Sequence, residues 1–228
     1  MMHFIRNGKL AKGLQLGIIF VVSGALLLSM LVTHLKAQAA SPANWNMFGY
    51  NALHTHLNPN EHTLGTGNVG AITQAWHFTT GAAIDSSPAI VNGVAYIGST
   101  DNNLYAVNTT TGAALWHFTA GSMATMSPAV VNGIVYFGSD NGTFYALRAR
   151  TGRLLWSRFI TSRGVASSPT VVGGVVYFAG GDQYIYALRA TTGAVIWKSF
   201  TGPDQGVFDS SPAVVGGVLY VLSFDLFA

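Results

Sequence analysis

The 228-residue chain is 50% hydrophobic and only 8% charged, so it fits one soluble domain with an easily filled core, together with a leader. It has no cysteine, which excludes disulfides, thiol chemistry, thiolate metal sites and a cysteine-linked lipid anchor. The net charge of +3 would suit an acidic partner, but four of the eleven basic residues precede Ala40 and all eight acids follow it. Without its leader the chain is close to neutral, so nucleic acid is not an expected partner.

Residues 1–39 have the layout of an export signal. Arg6, Lys9 and Lys12 come first, residues 13–35 carry no formal charge, and residues 37–39 form a small-x-small cleavage pattern. The apolar run exceeds the usual ~7–15 residues of a signal peptide, so it could also span a bilayer as an uncleaved anchor helix. Both alternatives place the rest of the chain outside, in an extracellular or periplasmic space or tethered to the membrane.

Residues 40–70 are rich in turn-forming residues and poor in strand patterns, and we interpret them as a covering segment across one end of the following domain. Residues 72–79 come next and carry Trp76. They predict a single strand that completes another sheet and so removes an exposed edge.

From residue 84 the sequence repeats itself. Ser-Pro pairs begin at 87, 127, 168 and 211, and self-similarity at this period of about 40 residues indicates an array of supersecondary units that cover each other's apolar faces. Tryptophans keep nearly the same step. The predicted units are residues 84–119, 124–160 and 165–200, followed by a partial unit at 208–222.

Each unit predicts a four-stranded antiparallel meander. Its short apolar runs are rich in Val, Ile, Tyr and Phe, and pairs such as Asn92-Gly93 suit type I′ hairpin turns. The second strand, for example 94–98, is continuously apolar, which implies burial on both faces. In a flat β-sandwich one face of each sheet would be exposed to solvent, and its strands would alternate apolar and polar residues. We therefore predict an all-β fold, a β-propeller of three complete blades and one partial blade, preceded by the signal or anchor helix.

The fourth unit shows only two recognisable strands before residues 223–228. We expect a truncated or frameshifted product of a larger propeller in preference to a complete small ring. Such a product would leave a blade edge open and would invite self-association.

The spacing Ala-x-x-x-x-Thr-Gly-x-x-x-Trp occurs three times and resembles the tryptophan-docking motif of pyrroloquinoline-quinone-like (PQQ-like) propeller repeats. These repeats occur in quinoprotein dehydrogenases, in rings of seven or eight blades, and in many non-enzymatic relatives. The resemblance implies that each tryptophan packs between neighbouring blades. The residues concerned are Trp76, Trp116, Trp156, Trp197, Ala106, Ala146, Ala187, Gly112, Gly152 and Gly193.

Two groups of residues are candidate metal ligands. His54 and His56 lie in the covering segment near Glu61, and an imidazole pair with a carboxylate could hold zinc. No recognised ligand spacing is matched, so solvated loop histidines are the favoured interpretation. Asp85 and Asp209 precede Ser-Ser-Pro at equivalent places and could bind calcium or act as a base, but capping of the next turn is the favoured interpretation.

Five arginines fall within sixteen residues with no acid between them, which could serve an anionic partner. A polar outer rim would explain them too. They are Arg148, Arg150, Arg153, Arg158 and Arg163.

Two functions remain open from the sequence. The first is a binding scaffold without catalysis or cofactor, whose partner is a protein or a polysaccharide. The second is part of a dehydrogenase that uses pyrroloquinoline quinone with calcium. The resemblance implies for such enzymes an aspartate base and often a vicinal Cys-Cys, and this sequence has no cysteine. The scaffold is therefore favoured.

Overall fold

The computed structural model describes residues 2–7, 44–201, 210–222 and 226–227. Strand β1 (Met2–Asn7) pairs antiparallel with β2 (Ile72–Phe78). The single strand predicted at residues 72–79 to complete another sheet is observed as β2, in a two-stranded sheet with β1. This pairing satisfies one of its two backbone edges. A short 3-10 helix, Val69–Ala71, precedes it. The run on which the leader helix was predicted lies outside the described residues, and within the described ranges no helix is long and apolar enough to cross a membrane.

Three four-stranded sheets follow, each a meander in which every strand pairs antiparallel with the next. They confirm the three predicted complete blades. Blade 1 contains β3 (Ala89–Val91), β4 (Val94–Gly98), β5 (Asn103–Asn108) and β6 (Ala114–Thr119). Blade 2 contains β7 (Ala129–Val131), β8 (Ile134–Gly138), β9 (Thr143–Arg148) and β10 (Leu154–Phe159). Blade 3 contains β11 (Thr170–Val172), β12 (Val175–Ala179), β13 (Tyr184–Arg189) and β14 (Val195–Phe200).

The partial blade 4 has three strands instead of the two that were predicted. They are β15 (Ala213–Val215), β16 (Val218–Leu222) and the two-residue β17 (Leu226–Phe227). The short β17 pairs with Val221 and Leu222 only, so it protects just the end of the β16 edge.

The blades stack face to face, and the first strands β3, β7, β11 and β15 contact one another in that order. Four of the five residues of β4, and likewise of β8, are buried. This confirms the predicted burial on both faces for β4 and β8, as stacked blades require. In β12 three of five residues are buried, and in β16 only one of five is. Asn92 (φ 51°) and Gly93 (φ 76°) both have positive φ, which confirms the type I′ turn.

Each blade has two distinct ends. At the hairpin end, the turn between strands one and two meets the turn between strands three and four, where Ala149 N donates to Gly133 O at 2.9 Å. At the loop end, the turn between strands two and three meets the loop that enters the blade, where Asp140 N donates to Met123 O at 3.0 Å. Because the strands alternate in direction, residues close in sequence are separated between these two ends.

Candidate functional site

The tryptophans of β6 and β10 reach the hairpin end of the next blade. Trp116 Nε1 donates a hydrogen bond to Ala149 O at 3.0 Å, and Trp156 Nε1 donates to Ala190 O at 2.9 Å. Trp76, on β2, makes the same bond to blade 1 through Thr109 O at 2.8 Å. The indole therefore buries its ring between blades and finds an acceptor for its N–H.

A tyrosine on the second strand donates to the same carbonyl. Tyr96 OH lies 3.3 Å from Ala149 O, and Tyr136 OH lies 3.2 Å from Ala190 O. Burial raises the pKa of both tyrosines to about 12, so both phenols stay protonated and can donate. One carbonyl thus accepts from an indole and a phenol. We call this two-donor arrangement the carbonyl clamp.

A glycine three residues after the clamped carbonyl lies against the indole face. Gly152 has φ +67°, and a Cβ built on it would stand 2.7 Å from Trp116 Cε3. Gly193 has φ +69°, and its Cβ would stand 2.5 Å from Trp156 Cε3. Both the left-handed backbone and the close approach require glycine. Gly112 meets Trp76 in the same way.

The three alanines of the motif lie directly across the sheet from the tryptophans. Ala106 pairs with Trp116 and Ala146 with Trp156. Both alanines are fully buried. A small side chain at this position leaves room for the indole to lean toward the next blade. Ala187 stands in the same register with Trp197.

Trp197 differs from the other motif tryptophans. It is 39% exposed, and among the described residues its indole N–H has no hydrogen-bond acceptor. Its ring lies beside a groove of about 460 Å³ between β14 and β16.

Residues 44–56, which we call the hub segment, lie against the innermost strands of several blades. Trp45 and Ile90 exchange two backbone hydrogen bonds, and Met47 is buried between blades 2 and 3. Edge N–H groups of the first strands donate to the carbonyls of the hub segment. These bonds run from Ile90 N to Trp45 O (2.7 Å), from Val130 N to Asn46 O (2.7 Å) and from Val214 N to Ala52 O (2.8 Å).

His54, in the hub segment, forms a hydrogen bond with Thr170 of blade 3. The Thr170 hydroxyl donates to Pro212 O, so it accepts from His54 Nε2 at 3.1 Å. Burial, with the neighbouring His56, holds the pKa of His54 below its ordinary value. The rings of His54 and His56 stand edge-on to Phe48, at 5.6 Å and 5.5 Å. When Nε2 carries the proton, Nδ1 is the ring nitrogen of His54 that keeps a lone pair.

Asp85 is exposed in the loop that enters blade 1, and Asp209 lies outside the described residues. In the described part of the chain, no three His, Asp or Glu side chains come close enough to hold a metal ion.

The five arginines are all exposed, but the fold divides them between the two ends of blade 2. Arg148, Arg150 and Arg153 belong to the turn at the hairpin end, where Arg148 N donates to Arg153 O at 2.8 Å. Arg158 pairs across the sheet with Phe144, near the start of β9, and Arg163 follows in the loop at the other end. A run of four strand residues separates the groups by about 13 Å.

The serines of the Ser-Pro pairs have a role that the proline alone did not indicate. Ser127 Oγ accepts from Ser87 N at 2.8 Å, and Ser168 Oγ accepts from Ser127 N at 3.0 Å. These bonds join the first strands of consecutive blades. Ser86 Oγ, in turn, accepts from Gly98 N at 2.9 Å within blade 1. The recurrence of serine next to proline was the available signal.

The sequence matches the profile of the family described as outer membrane protein assembly factor BamB, over residues 73–164 and 121–225. Together these matches cover about two thirds of the chain. The chain belongs to this family. Its fold is accordingly that of a PQQ-like propeller. No curated protein matches the sequence significantly.

Solved structures support the same fold. BamB from Moraxella catarrhalis is 26% identical, with a TM-score of 0.59 over 68% of this chain and 51% of that one. Quinohemoprotein alcohol dehydrogenase ADHIIG from Pseudomonas putida HK5 is 25% identical, with a TM-score of 0.65 over 72% and 27%. A europium-containing methanol dehydrogenase is 26% identical, with a TM-score of 0.61 over 73% and 34%. The chain thus spans about half of this BamB and about a quarter to a third of these enzymes.

Proposed function

We propose that this chain acts outside the cytoplasm as a scaffold that binds polypeptide partners without catalysis of its own. The observation that carries the proposal is the hub segment, whose carbonyls accept hydrogen bonds from the first strands of three blades. Recognition through the main chain is the way that sheet edges bind extended polypeptides. Membership in a family described as an assembly factor supports the same function.

An anionic group on the partner is proposed to meet the exposed arginines of the hairpin end of blade 2. Arg148, Arg150 and Arg153 share one turn there. The described aspartates of the blades, by contrast, lie in the turns and loops of the loop end. They are Asp85, Asp101, Asp140 and Asp182. This separation of charge favours one orientation of an acidic partner.

Fluorescence anisotropy with the full chain tests the scaffold proposal. The probe is a labelled, permanently unfolded polypeptide, reduced and carboxymethylated α-lactalbumin, with the native protein as control. We expect saturable binding of the unfolded probe with a Kd of roughly 1–100 µM, that is, about −8 to −5.5 kcal/mol. An absence of binding at concentrations well above this range would overturn the proposal.

The alternative is that the chain is part of a PQQ-dependent alcohol or sugar dehydrogenase, which the similarity to two such enzymes favours. Among the described residues, Asp101 is engaged by Tyr105 OH and Gly81 N at 2.7 Å each. In the same ranges no three His, Asp or Glu side chains come close enough to hold calcium. These observations support the scaffold as the first choice. A stoichiometric absorbance change on titration with the quinone and calcium would replace the scaffold proposal by this one.

A further inference from the structure

The hairpin ends of blades 2 and 3 carry a cluster of positive charge. Arg148, Arg150 and Arg153 belong to one turn of blade 2, and Arg189 stands in blade 3 at the position of Arg148. All four side chains are exposed, and none forms an ion pair with a described residue. The described acids of both blades lie in the turns of the loop end. Within the described part of the chain, this positive charge is therefore left without a counterion.

The turn of blade 2 does not need its arginines in order to form. Blade 1 builds the same turn with Asn108, Thr110 and Ala113 in the three places. Asn108 N donates to Ala113 O at 2.9 Å, just as Arg148 N donates to Arg153 O at 2.8 Å. Three like charges in one turn also repel one another. Because the backbone closes in the same way without the guanidinium groups, the fold does not explain why they are there.

Exposed aliphatic side chains lie at the same end of the blades. The fourth strand of each blade begins at the hairpin end, and the first residues of β6 and β10 include Leu115, Leu154 and Leu155. These leucines are 51%, 43% and 36% exposed. Arg153 directly precedes Leu154 in the sequence. A surface that combines basic and exposed apolar side chains is typical of proteins that lie on an anionic membrane.

We propose that the hairpin ends of blades 1 to 3 form a docking surface for a membrane rich in anionic phospholipid. Charge complementarity selects this occupant, because arginine donates paired hydrogen bonds to phosphate groups. A lipid surface presents phosphates and acyl chains at adjacent depths, so it engages the arginines and the exposed leucines together. A soluble polyanion would engage the arginines alone.

This inference rests on the anionic partner proposed above for the hairpin end and names the class of that partner. It is separate from the binding of polypeptide, which the unfolded probe tests whether or not vesicles bind. Docking by the hairpin end would leave the loop end, with the aspartates of the blades, facing away from the membrane. The position of a label relative to the lipid therefore distinguishes the two ends.

Site-specific fluorescence quenching with the full chain tests the docking surface. Because the chain has no cysteine, Thr191→Cys and Ser162→Cys each accept a single label, at the hairpin end of blade 3 and in the loop that enters it. Both positions are exposed. On vesicles of phosphatidylcholine and phosphatidylglycerol that carry a headgroup quencher, we expect the label at 191 to be quenched about threefold more than the label at 162. Vesicles of phosphatidylcholine alone should remove most of this difference.

Arg150→Thr with Arg153→Ala introduces the residues that blades 1 and 3 have at the same places, and it should weaken vesicle binding about tenfold at low ionic strength. The matched control, Arg158→Gln with Arg163→Gln, removes the same charge from the opposite region of blade 2 and should leave binding unchanged. Residues 1–39 are identical in all variants, so a difference between them reports the blades.

Circular dichroism checks that the variants fold, and the comparison of the two labels decides the question even if a double variant does not. Equal quenching of the two labels, or equal losses in the two double variants, would overturn the proposal. Quenching as strong on phosphatidylcholine alone would do the same. So would tighter binding of labelled polyglutamate than of vesicles through the same arginines, because the partner would then be an acidic polypeptide.

Discussion

The glycines that contact the indole rings, such as Gly152, meet two requirements, a positive φ and a close approach to the ring. Experiment can separate the two. Gly152 and Gly133 both have positive φ, +67° and +74°. Only at Gly152 would an added Cβ meet another group, the Trp116 ring at 2.7 Å, whereas no heavy atom lies within 4 Å at Gly133. The two positions therefore differ in contact but not in backbone conformation.

We expect Gly152→Ala to lower the free energy of unfolding by about 2–5 kcal/mol. The left-handed backbone costs about 1–2 kcal/mol, and the forced displacement of a packed ring adds about 1–3 kcal/mol. Gly133→Ala should show the backbone cost alone. Urea denaturation of the two variants measures the difference, and equal losses would show that the indole contact does not restrict the turn.

The buried tyrosines predict a loss of stability at high pH. The folded pKa of Tyr96 and Tyr136 is raised to about 12, above the ordinary value of 10, so the folded state holds these protons more tightly. Their contribution is complete below pH 10 and declines between pH 10 and 12, by about 1.4 kcal/mol per tyrosine and pH unit.

Chemical denaturation at pH 9, 10 and 11 checks this prediction. Tyr136→Phe removes one of the titrating groups and should therefore show a shallower decline than the wild type. Burial raises the pKa of Tyr186 as well, and that tyrosine contributes in the same direction in both proteins. Parallel declines in wild type and variant would mean that Tyr136 does not couple to folding in this pH range.

At the level of strands, the blades are joined twice, by the outer carbonyl clamps and by the inner serines. Ser168 is 7% exposed, and its hydroxyl accepts from Ser127 N across the interface of blades 2 and 3. Substitution of Ser168 by alanine leaves this buried N–H without an acceptor.

We expect Ser168→Ala to destabilise the protein by about 1–3 kcal/mol, the range for a buried donor that loses its partner. Ser157→Ala, on the exposed β10 strand, is the control and should change the stability by less than about 0.5 kcal/mol. Thermal denaturation of both variants gives the comparison. An effect of Ser168→Ala as small as that of the control would assign the inner contact to packing alone.

The strands were predictable because repeated short apolar runs and Asn-Gly turns are local signals, and β3 to β14 lie where the repeats indicated. The positions of the arginines were not predictable by closeness in sequence, since β9 and β10 run in opposite directions and separate Arg153 from Arg158. The contacts of His54 with Thr170 join residues 116 apart, and a single sequence holds no local signal for such a pairing.

At the level of the whole molecule, the two ends of the blades differ in charge. We expect the hairpin end to govern binding of an acidic polymer. Arg150→Gln with Arg153→Gln should weaken binding of heparin about tenfold at low ionic strength, because two contacts of roughly 0.7 kcal/mol each are lost. The difference should shrink as salt screens the charges.

The matched control is Arg158→Gln with Arg163→Gln, which removes the same charge from the opposite region of blade 2. Elution from heparin resin and titration at two salt concentrations measure both variants. An equal loss of affinity in the two double variants would show that overall charge, not its position, determines the interaction.

The forward direction of the tryptophan bonds has a consequence for biosynthesis. Trp76, Trp116 and Trp156 each find an acceptor 33 or 34 residues later in the sequence. After one of these tryptophans has been added to the growing chain, the ribosome must therefore synthesise about one more repeat before the indole can form its hydrogen bond. Folding then proceeds stepwise from the N-terminus, and during synthesis the most recently made repeat is the one whose tryptophan is not yet docked.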